Sequence, residues 1–558
     1  MSQVYDIANQ YVDKIARLNP VAATMRGIPG HDAEMTDFSP EGVAASDALN
    51  RETLVALSRA TVEGERDRIA RETMEDELKL RLEQSEAREH LRDVGVLRTP
   101  LQSIRLCFDL MPRATLEDWR NIAARLGLVP QGLASYRTSL EEGMRRNLVA
   151  ARRQAIECAT QAEVWSGQKG GTSFFDGVVA NYNASGISNS SLRRDLEKGA
   201  RDAASAYAHM ARFYRDIYSA KAQERDAVGR ERYSLSSRLF NGIALDLNET
   251  YAWGWEQLRW VEEEMAATAE KIFPGGGVEA AKQMLENDPS RAIEGVEPFK
   301  EWMQGLQDKT IAALDGAHFD ISGPVRRIEA MIAPPGGALA MYYTGPSEDF
   351  ARPGRTWYPT GGKTRFPLWG EVSIAYHEGV PGHHLQHGTT TYLKDELSRY
   401  QRLIGGCSGY AEGWALYAER LMGELGYLDT PDYYLGMLRA QALRSVRVII
   451  DIGMHLELTI PRGQPYHPGE RWTPELGGEF LKERSHFPAD FLASELARYL
   501  GTPGQAISYK VGERVWLESR QEARRRLGPA FNLKAWHNRA LRIGPMGLAL
   551  MKKEMSRL

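Results

Sequence analysis

The sequence predicts a mainly α-helical protein with a large, two-lobed body and one small antiparallel β element, and three observations predict this fold class. Most of the first half places apolar residues three and four positions apart among strong helix formers. A short segment after about residue 320 changes to β-type runs separated by glycine and proline. Helical periodicity then resumes to the end of the chain, whose 558 residues suffice for a sizeable core.

Residues 1–320 are predicted to form a mainly helical amino-terminal lobe. Stretches such as DELKLRLEQSEAREHLRDVG, which starts at Asp76, and SLRRDLEKGARDAASAYAHMARFYRDIYSAKA, which starts at Ser191, have the spacing of long amphipathic helices. Their charge runs are typical of solvated helix faces rather than of binding patches. The glycine-rich FPGGG at Phe273 lacks the Lys-Ser/Thr pair of a phosphate-binding loop, so it predicts a connection between two helices.

Residues 321–558 are predicted to form a second region, integrated with the first lobe into one body, so that the boundary is approximate. Its β element is predicted from the runs VRRIEAMIA and ALAMYYTG, which PPGG separates and the turn-rich RPGRTWYPTGG follows. Helical periodicity resumes from Leu368. The small antiparallel sheet is therefore expected just before the segment that is richest in chemically active residues.

The composition excludes several classes of protein. Hydrophobic residues make up 42% and charged residues 26%, as in ordinary globular proteins, and a net charge of -4 is too balanced for a nucleic-acid-binding face. The three cysteines form no CxxC pair, which argues against a disulfide framework and a thiolate zinc site. Charges near the chain start and within the most apolar later stretch argue against a signal peptide and a membrane span. We therefore expect a cytoplasmic protein, a monomer or a homodimer, that binds neither nucleic acid nor membranes.

The densest chemistry lies in HEGVPGHHLQH, which starts at His377. This segment holds four of the chain's 12 histidines, namely His377, His383, His384 and His387. Neutral imidazole is a common zinc ligand, and a His-Glu pair on a helix opens the zinc-peptidase signature HExxH. A chance cluster on a solvated helix is the alternative. The segment therefore predicts a zinc site.

The spacing departs from HExxH because Pro381 stands where the second histidine belongs. On a straight helix His383 would be rotated by about 240° from His377, whereas His384 would share its face but lie about 10 Å further along. Pro381 cannot donate to the carbonyl of His377, and Gly382 accepts unusual dihedrals, so the pair predicts a kink or loop. If two residues are looped out, His383 becomes the second ligand, and His384 is the alternative.

Neighbouring carboxylates supply two further roles. Glu378 points about 100° round the helix from His377, which suits a general base beside the ion; an ordinary exposed glutamate is the alternative. In YAEGWALYAERL, Glu412 is the candidate third ligand, which leaves one position open for water. Glu419 is a candidate acceptor that orients a ligating histidine. The alternative for Glu412 is a salt bridge in the helical core, and the alternative for Glu419 is an ordinary ion pair.

Taken together, HEGVPGHHLQ, YAEGWALYAE, VRVIIDIGMH and PGQAISYKVGE resemble the bacterial family catalogued as domain of unknown function 885. That family is similar in its core to the zincins, the glutamate-ligated zinc metallopeptidases. The resemblance covers roughly residues 320–550 by motif. It implies a two-lobed, zincin-like fold, zinc bound by His377, His383 and Glu412, and a base at Glu378.

Two motifs gain a role from this resemblance. In VRVIIDIGMHLEL, the polar Arg447, Asp451 and His455 recur at every fourth position, on one face of an apolar helix. They form either a structural network of Arg447 with Asp451, or a substrate site. In that site His455 would bond the reacting carbonyl, and Arg447 or Arg444 would bind a substrate carboxylate. Tyr509 resembles the phenol with which zincins stabilise an oxyanion; a packing role is the alternative.

The expected function is zinc-dependent hydrolysis of peptide bonds, with Glu378 as the base and His455 and Tyr509 stabilising the oxyanion. An extended peptide would add as a strand along ALAMYYTG, in contact with Tyr343. Enclosure between helical lobes favours short peptides or chain ends, as in a carboxypeptidase or dipeptidase. The alternatives are a hydrolase of a non-peptide amide and a catalytically silent binding scaffold.

Overall fold

The structure is a computed structural model that describes residues 2–333 and 340–558. The described chain is mainly helical, as predicted, and has two small sheets rather than one. It divides into two compact units, Met1–Val228 with Ala497–Thr502, and Gly229–Leu496 with Pro503–Leu558. The boundary predicted near residue 320 thus lies inside the second unit, where it marks a change from helix to sheet.

The first unit has its core around two long helices. The helices up to residue 228 are α1 (Gln3–Leu18), α2 (Pro20–Met25), α3 (Pro40–Arg59), α4 (Glu65–Glu86), α5 (Pro100–Leu110), α6 (Leu116–Arg145), α7 (Arg152–Trp165), α8 (Phe174–Ala184) and α9 (Ser190–Arg212). A capping box of Thr115 and Asp118 starts α6, because each side chain accepts a backbone N–H of the other residue. Leu126 of α6 and Leu196 of α9 are fully buried in one apolar cluster.

The second unit is organised around one buried helix. The helices after residue 229 are α10 (Arg230–Asn241), α11 (Leu247–Ile272), α12 (Gly277–Asn287), α13 (Val296–Leu314), α14 (Glu371–Glu378), α15 (His383–Tyr392), α16 (Arg399–Leu403), α17 (Ser408–Glu424), α18 (Pro431–Leu456), α19 (Pro474–Ser485), α20 (Ala489–Gly501), α21 (Ser508–Leu527), α22 (Leu533–Arg542) and α23 (Leu548–Met555). FPGGG joins α11 to α12, as predicted. Between Leu435 and His455 in α18, every residue is buried except Arg439 and Arg444. None of the described helices is long and apolar enough to cross a bilayer.

The β element is mixed rather than antiparallel. Its strands are β1 (Ala292–Glu294), β2 (Ile328–Ile332), β3 (Tyr342–Thr344), β4 (Gly354–Tyr358) and β5 (Arg365–Pro367). Strand β4 lies in the centre of a three-stranded sheet, parallel to β2 and antiparallel to β3, while β1 and β5 form an antiparallel pair. The antiparallel prediction is corrected because it missed β4, whose flanking glycine and prolines resemble a turn.

The two predicted strand runs have different outcomes. VRRIEAMIA contains β2, whose side chains alternate between more and less buried positions at its start. ALAMYYTG starts with Ala338 and Leu339, which lie outside the described residues, and its described part forms β3. Since β3 pairs only with β4 among the described strands, it lies at an edge of the sheet.

Candidate metal centre

The helix that carries His377 is interrupted where the sequence predicted. Helix α14 ends at Glu378, and α15 begins at His383. Gly379 and Gly382 both have ψ of -129°, far from helical values. A Cβ atom on Gly382 would lie 2.0 Å from the carbonyl oxygen of His377, so only glycine fits there. The interruption is therefore built into the sequence at its two glycines.

Two side chains from other helices hold this bend. Trp414 of α17 donates from its indole Nε1 to the carbonyl oxygens of Pro381, at 2.8 Å, and Gly382, at 3.1 Å. Gln307 of α13 donates to the carbonyl oxygen of Ala375 at 3.0 Å. These side-chain donors tie the backbone on both sides of the bend to α13 and α17, so the bend is a fixed feature of the fold.

The bend brings His383 beside His377, and α17 adds Glu412 to the pair. The two imidazole rings are 4.8 Å apart and nearly perpendicular, at 84°. One carboxylate oxygen of Glu412 lies 3.4 Å from Nε2 of His377 and 3.4 Å from Nε2 of His383. One potential ligand atom from each residue lies within 4.8 Å of the other two. The structure thus assembles the three side chains that the sequence predicted as ligands.

The donor set and the two distances from Glu412 fit zinc. Ligands bound tetrahedrally at about 2.0–2.1 Å from zinc lie about 3.3–3.4 Å from one another. Both distances from Glu412 to the histidines have this value. Two imidazoles and one carboxylate also form a known catalytic zinc set, in which the fourth position stays open. The Glu412 side chain is 21% exposed, so this group is not sealed inside the core.

Glu419 lies behind His377 and orients it. Its carboxylate accepts a hydrogen bond from Nδ1 of His377 at 2.7 Å and one from the hydroxyl of Ser373, and its side chain is fully buried. This contact places the second nitrogen, Nε2, towards Glu412. Burial by itself would lower the pKa of His377, but hydrogen bonds to Glu412 and Glu419 raise it to about 10. The carboxylates therefore favour a positive charge at this point.

Glu378 occupies the position expected of a base. Its side chain is buried, and it makes no hydrogen bond or ion pair with another described residue. Burial raises the pKa of its carboxyl, and the nearby His383 and His377 oppose that rise. Because a carboxylate without a hydrogen-bond partner can accept a proton, this position suits proton transfer beside the three candidate ligands.

His384, the alternative ligand, is engaged elsewhere. Its Nε2 donates to the carbonyl oxygen of Val325 at 2.7 Å, so its Nδ1 accepts from the hydroxyl of Tyr343 at 3.0 Å. With both ring nitrogens used, His384 holds strand β3 against α15. The Tyr343 ring is 6.4 Å from the His383 ring and 5.9 Å from the His387 ring. Tyr343, predicted to contact substrate, therefore lies beside the centre.

Tyr509 reaches the centre through a close crossing of α17 and α21. A Cβ atom on Gly413 would lie 2.3 Å from the Cα of Gly512, so the two helices meet at glycine backbones. This contact places Glu412 and the first turn of α21 side by side. The Tyr509 ring stacks at 6.2 Å from the His377 ring, with 21° between their planes. The predicted phenol is thus next to a candidate ligand.

The predicted arginines face the same tyrosine. The guanidinium carbon of Arg444 is 5.3 Å from the Tyr509 ring centre, and that of Arg447 is 4.7 Å from it. Arg447 is buried and forms an ion pair with Glu495. The ion pair of Arg447 is thus with α20, and the network with Asp451 stays a prediction.

The described side-chain contacts of His455 are with α10 and with its own helix. Its ring is fully buried and packs 5.6 Å from the ring of Tyr233, while Nε2 lies 3.9 Å from Asp451. Asp451 in turn accepts hydrogen bonds from the Tyr233 hydroxyl and the Gly504 amide. His455 also lies about 12 Å further along α18 than Arg447. At this level the helix face that His455 shares with Arg447 turns towards α10, and the role of His455 on the substrate carbonyl stays a prediction.

Sequence reasoning missed the residues that position the ligands, namely Gln307, Ser373, Trp414 and Gly512. Most of them lie on other helices, so no local pattern links them to HEGVPGHHLQH. One feature of the sequence does indicate a close helix contact. Gly409 and Gly413 precede and follow YAE with the spacing that permits close helix contact, and Gly409 also meets Gly512. This spacing predicts a helix crossing at Glu412.

Comparison with known proteins gives a family and a fold. The model of a family described as "Bacterial protein of unknown function (DUF885)" matches residues 20–555. A structure described as a "putative lipoprotein" from Colwellia psychrerythraea has a TM-score of 0.84 at 20% identity, covering 100% of this chain and 98% of its own. One from Shewanella oneidensis, described as a "putative lipoprotein of unknown function", has a TM-score of 0.74 at 17% identity, covering 98% of both chains. No curated protein matches.

The predicted cytoplasmic location is wrong. Both similar structures are described as lipoproteins, a class that does not agree with this prediction. The prediction rested on charged residues near the chain start and within an apolar stretch, and these features do not determine a protein's location.

Proposed function

The chain belongs to the bacterial family of unknown function DUF885, and from its centre we propose that it is a zinc-dependent hydrolase of peptide bonds with a zincin-like arrangement of ligands. The observation that carries the proposal is the convergence of His377, His383 and Glu412 beside Glu378. A pure binding scaffold needs neither a complete ligand set nor a neighbouring carboxylate that is free of hydrogen bonds.

Each residue has a defined task in this proposal. Zinc, when bound, polarises the scissile carbonyl and acidifies a water molecule. Glu378 accepts the proton of the attacking water and passes it to the leaving amine. Tyr509, whose ring lies against His377, donates its phenolic hydrogen to the oxyanion of the transition state. Glu419 keeps His377 in the required orientation.

The substrate class follows from the elements around the centre. Edge strand β3 lies beside α15 through the hydrogen bond of Tyr343 to His384, and an extended peptide can pair with its open edge. This places a backbone next to the candidate ligands without requiring a particular side chain. Short peptides or chain ends are the substrates that we propose.

Metal content and turnover test the proposal together. The purified protein should bind about one zinc per chain, and His377→Ala or Glu412→Ala should greatly reduce it. Glu378→Gln should keep zinc while lowering turnover of a peptide library by about 10²–10⁴-fold. Glu297→Gln, at a 72% exposed position on α13, is the matched control and should change neither.

Three results would contradict the proposal. Zinc retained in both ligand variants would exclude the site, and unchanged turnover in Glu378→Gln would exclude the base. Hydrolysis of a non-peptide amide without any peptide hydrolysis would keep the chemistry but replace the substrate class.

A further inference from the structure

The guanidinium of Arg444, beside the centre, forms no ion pair with a described residue. Among residues Leu435–His455 of α18, only Arg439 and Arg444 are partly exposed. The Arg439 guanidinium is held between two rings, at 4.1 Å from Trp369 and 4.6 Å from Phe487. Arg444 instead faces Tyr509, which stacks on His377.

Arg444 and Arg447 differ in what they bind. Arg447 is neutralised by its ion pair with Glu495. Arg444 has only a long hydrogen bond of 3.5 Å to the carbonyl oxygen of Ala440, and its buried Nε has no acceptor among the described residues. A buried donor without an acceptor is costly, and a guanidinium is built to hold a carboxylate through two parallel hydrogen bonds.

The position of Arg444 limits the length of chain that it can hold. Its guanidinium carbon is 5.3 Å from the Tyr509 ring, and that ring is 6.2 Å from the His377 ring. An extended chain advances about 3.3–3.6 Å per residue. Roughly one or two residues therefore fit between a bond at the centre and a carboxylate at Arg444.

We propose that Arg444 binds the free α-carboxylate of the substrate, so that the protein acts on peptides whose carboxyl end lies one or two residues beyond the scissile bond. The inference rests on the proposed function and adds which end of the peptide the protein recognises. It also selects Arg444 over Arg447, because Arg447 already forms an ion pair with Glu495, whereas Arg444 forms none with a described residue. Peptides with an amidated carboxyl end lack the charge that Arg444 would bind.

Matched pairs of short peptides, with a free or an amidated carboxyl end, test this polarity. The wild-type protein should hydrolyse the free acid with a kcat/KM about 10- to 100-fold above that of the amide. Arg444→Gln should remove this preference by slowing hydrolysis of the free acid alone, and Arg444→Lys should restore part of it. Arg525→Gln, at a 75% exposed position on α21, should behave as wild type.

Binding separates failure of the inference from failure of the proposed function. Calorimetry on zinc-loaded Glu378→Gln should show tighter binding of the free acid than of the amide, and adding Arg444→Gln should abolish the difference. Acid-selective binding without any turnover by wild type would overturn the proposed function and support the carboxylate site. Equal binding of acid and amide, or an equal loss of both on Arg444→Gln, would overturn the inference. Preference for a free amino end would do the same.

Discussion

The hydrogen bond between Glu419 and His377 allows a direct test of how the fold orients a candidate metal ligand. The Glu419 side chain is fully buried and accepts hydrogen bonds from Nδ1 of His377 and the hydroxyl of Ser373. Glu419→Gln keeps the size of the side chain and one accepting oxygen but removes its charge. His377 should stay in place while its ligating nitrogen becomes less basic.

The expected loss can be worked out from this arrangement. Removing a carboxylate that orients a ligating histidine typically weakens metal affinity by about 10–100-fold, which corresponds to about 1.4–2.8 kcal/mol. The lower part of this range applies if the glutamine oxygen still accepts from Nδ1 of His377. Ser373→Ala removes a neutral donor to the same carboxylate, so it should weaken zinc binding less than Glu419→Gln does.

Competition between the protein and a fluorescent zinc chelator measures both affinities, after metal is removed by dialysis. Circular dichroism should show wild-type helix content in both variants. Zinc affinity of Glu419→Gln within twofold of wild type would refute the reasoning, because Glu419 would then only fill space behind His377.

Three further predictions address the second ligand, the helix crossing and the response to acid. His383→Ala should abolish stoichiometric zinc binding, whereas His384→Ala should retain it, because His384 is hydrogen-bonded to Val325 and Tyr343. Metal analysis that showed the reverse would identify His384 as the ligand. Gly413→Ala should destabilise the fold by about 1–3 kcal/mol and lower the midpoint of thermal unfolding, because the new Cβ would meet the Gly512 backbone. Gly423→Ala, on the same helix, adds a Cβ that meets only ordinary contacts, so its midpoint should not fall. Equal midpoints for the two variants would contradict the close crossing. Burial lowers the pKa of His537 to about 3, whereas its ordinary pKa in the unfolded chain is about 6.5. Below pH 6.5 unfolding therefore takes up a proton at His537. The stability that neutral His537 contributes to the fold is present above that pH and is lost as the pH drops towards 3. His537→Gln should therefore lose about 1 kcal/mol less than wild type between pH 6.5 and 5.5 in urea unfolding, and identical acid sensitivity would show that His537 is not buried in its neutral form.

The sequence by itself determined the helical class and the interruption of the helix that carries His377. Amphipathic spacing decides helices locally, and Pro381 with Gly382 excludes a continuous helix whatever packs around it. The choice of His383 as the second candidate ligand also followed from local reasoning, because a loop of known length shifts a side chain by a predictable rotation.

Only the tertiary structure decided which distant groups meet these histidines. Glu412 and Glu419 lie 35 and 42 residues beyond His377, and they reach it because α17 packs against α14. The sequence could place Arg447 and His455 on one face of α18, but that face meets different neighbours along its length. Near Arg447 it meets Glu495 and Tyr509, and near His455 it meets Tyr233. Periodicity determines which side chains share a face, whereas packing between elements far apart in the chain determines what that face contacts.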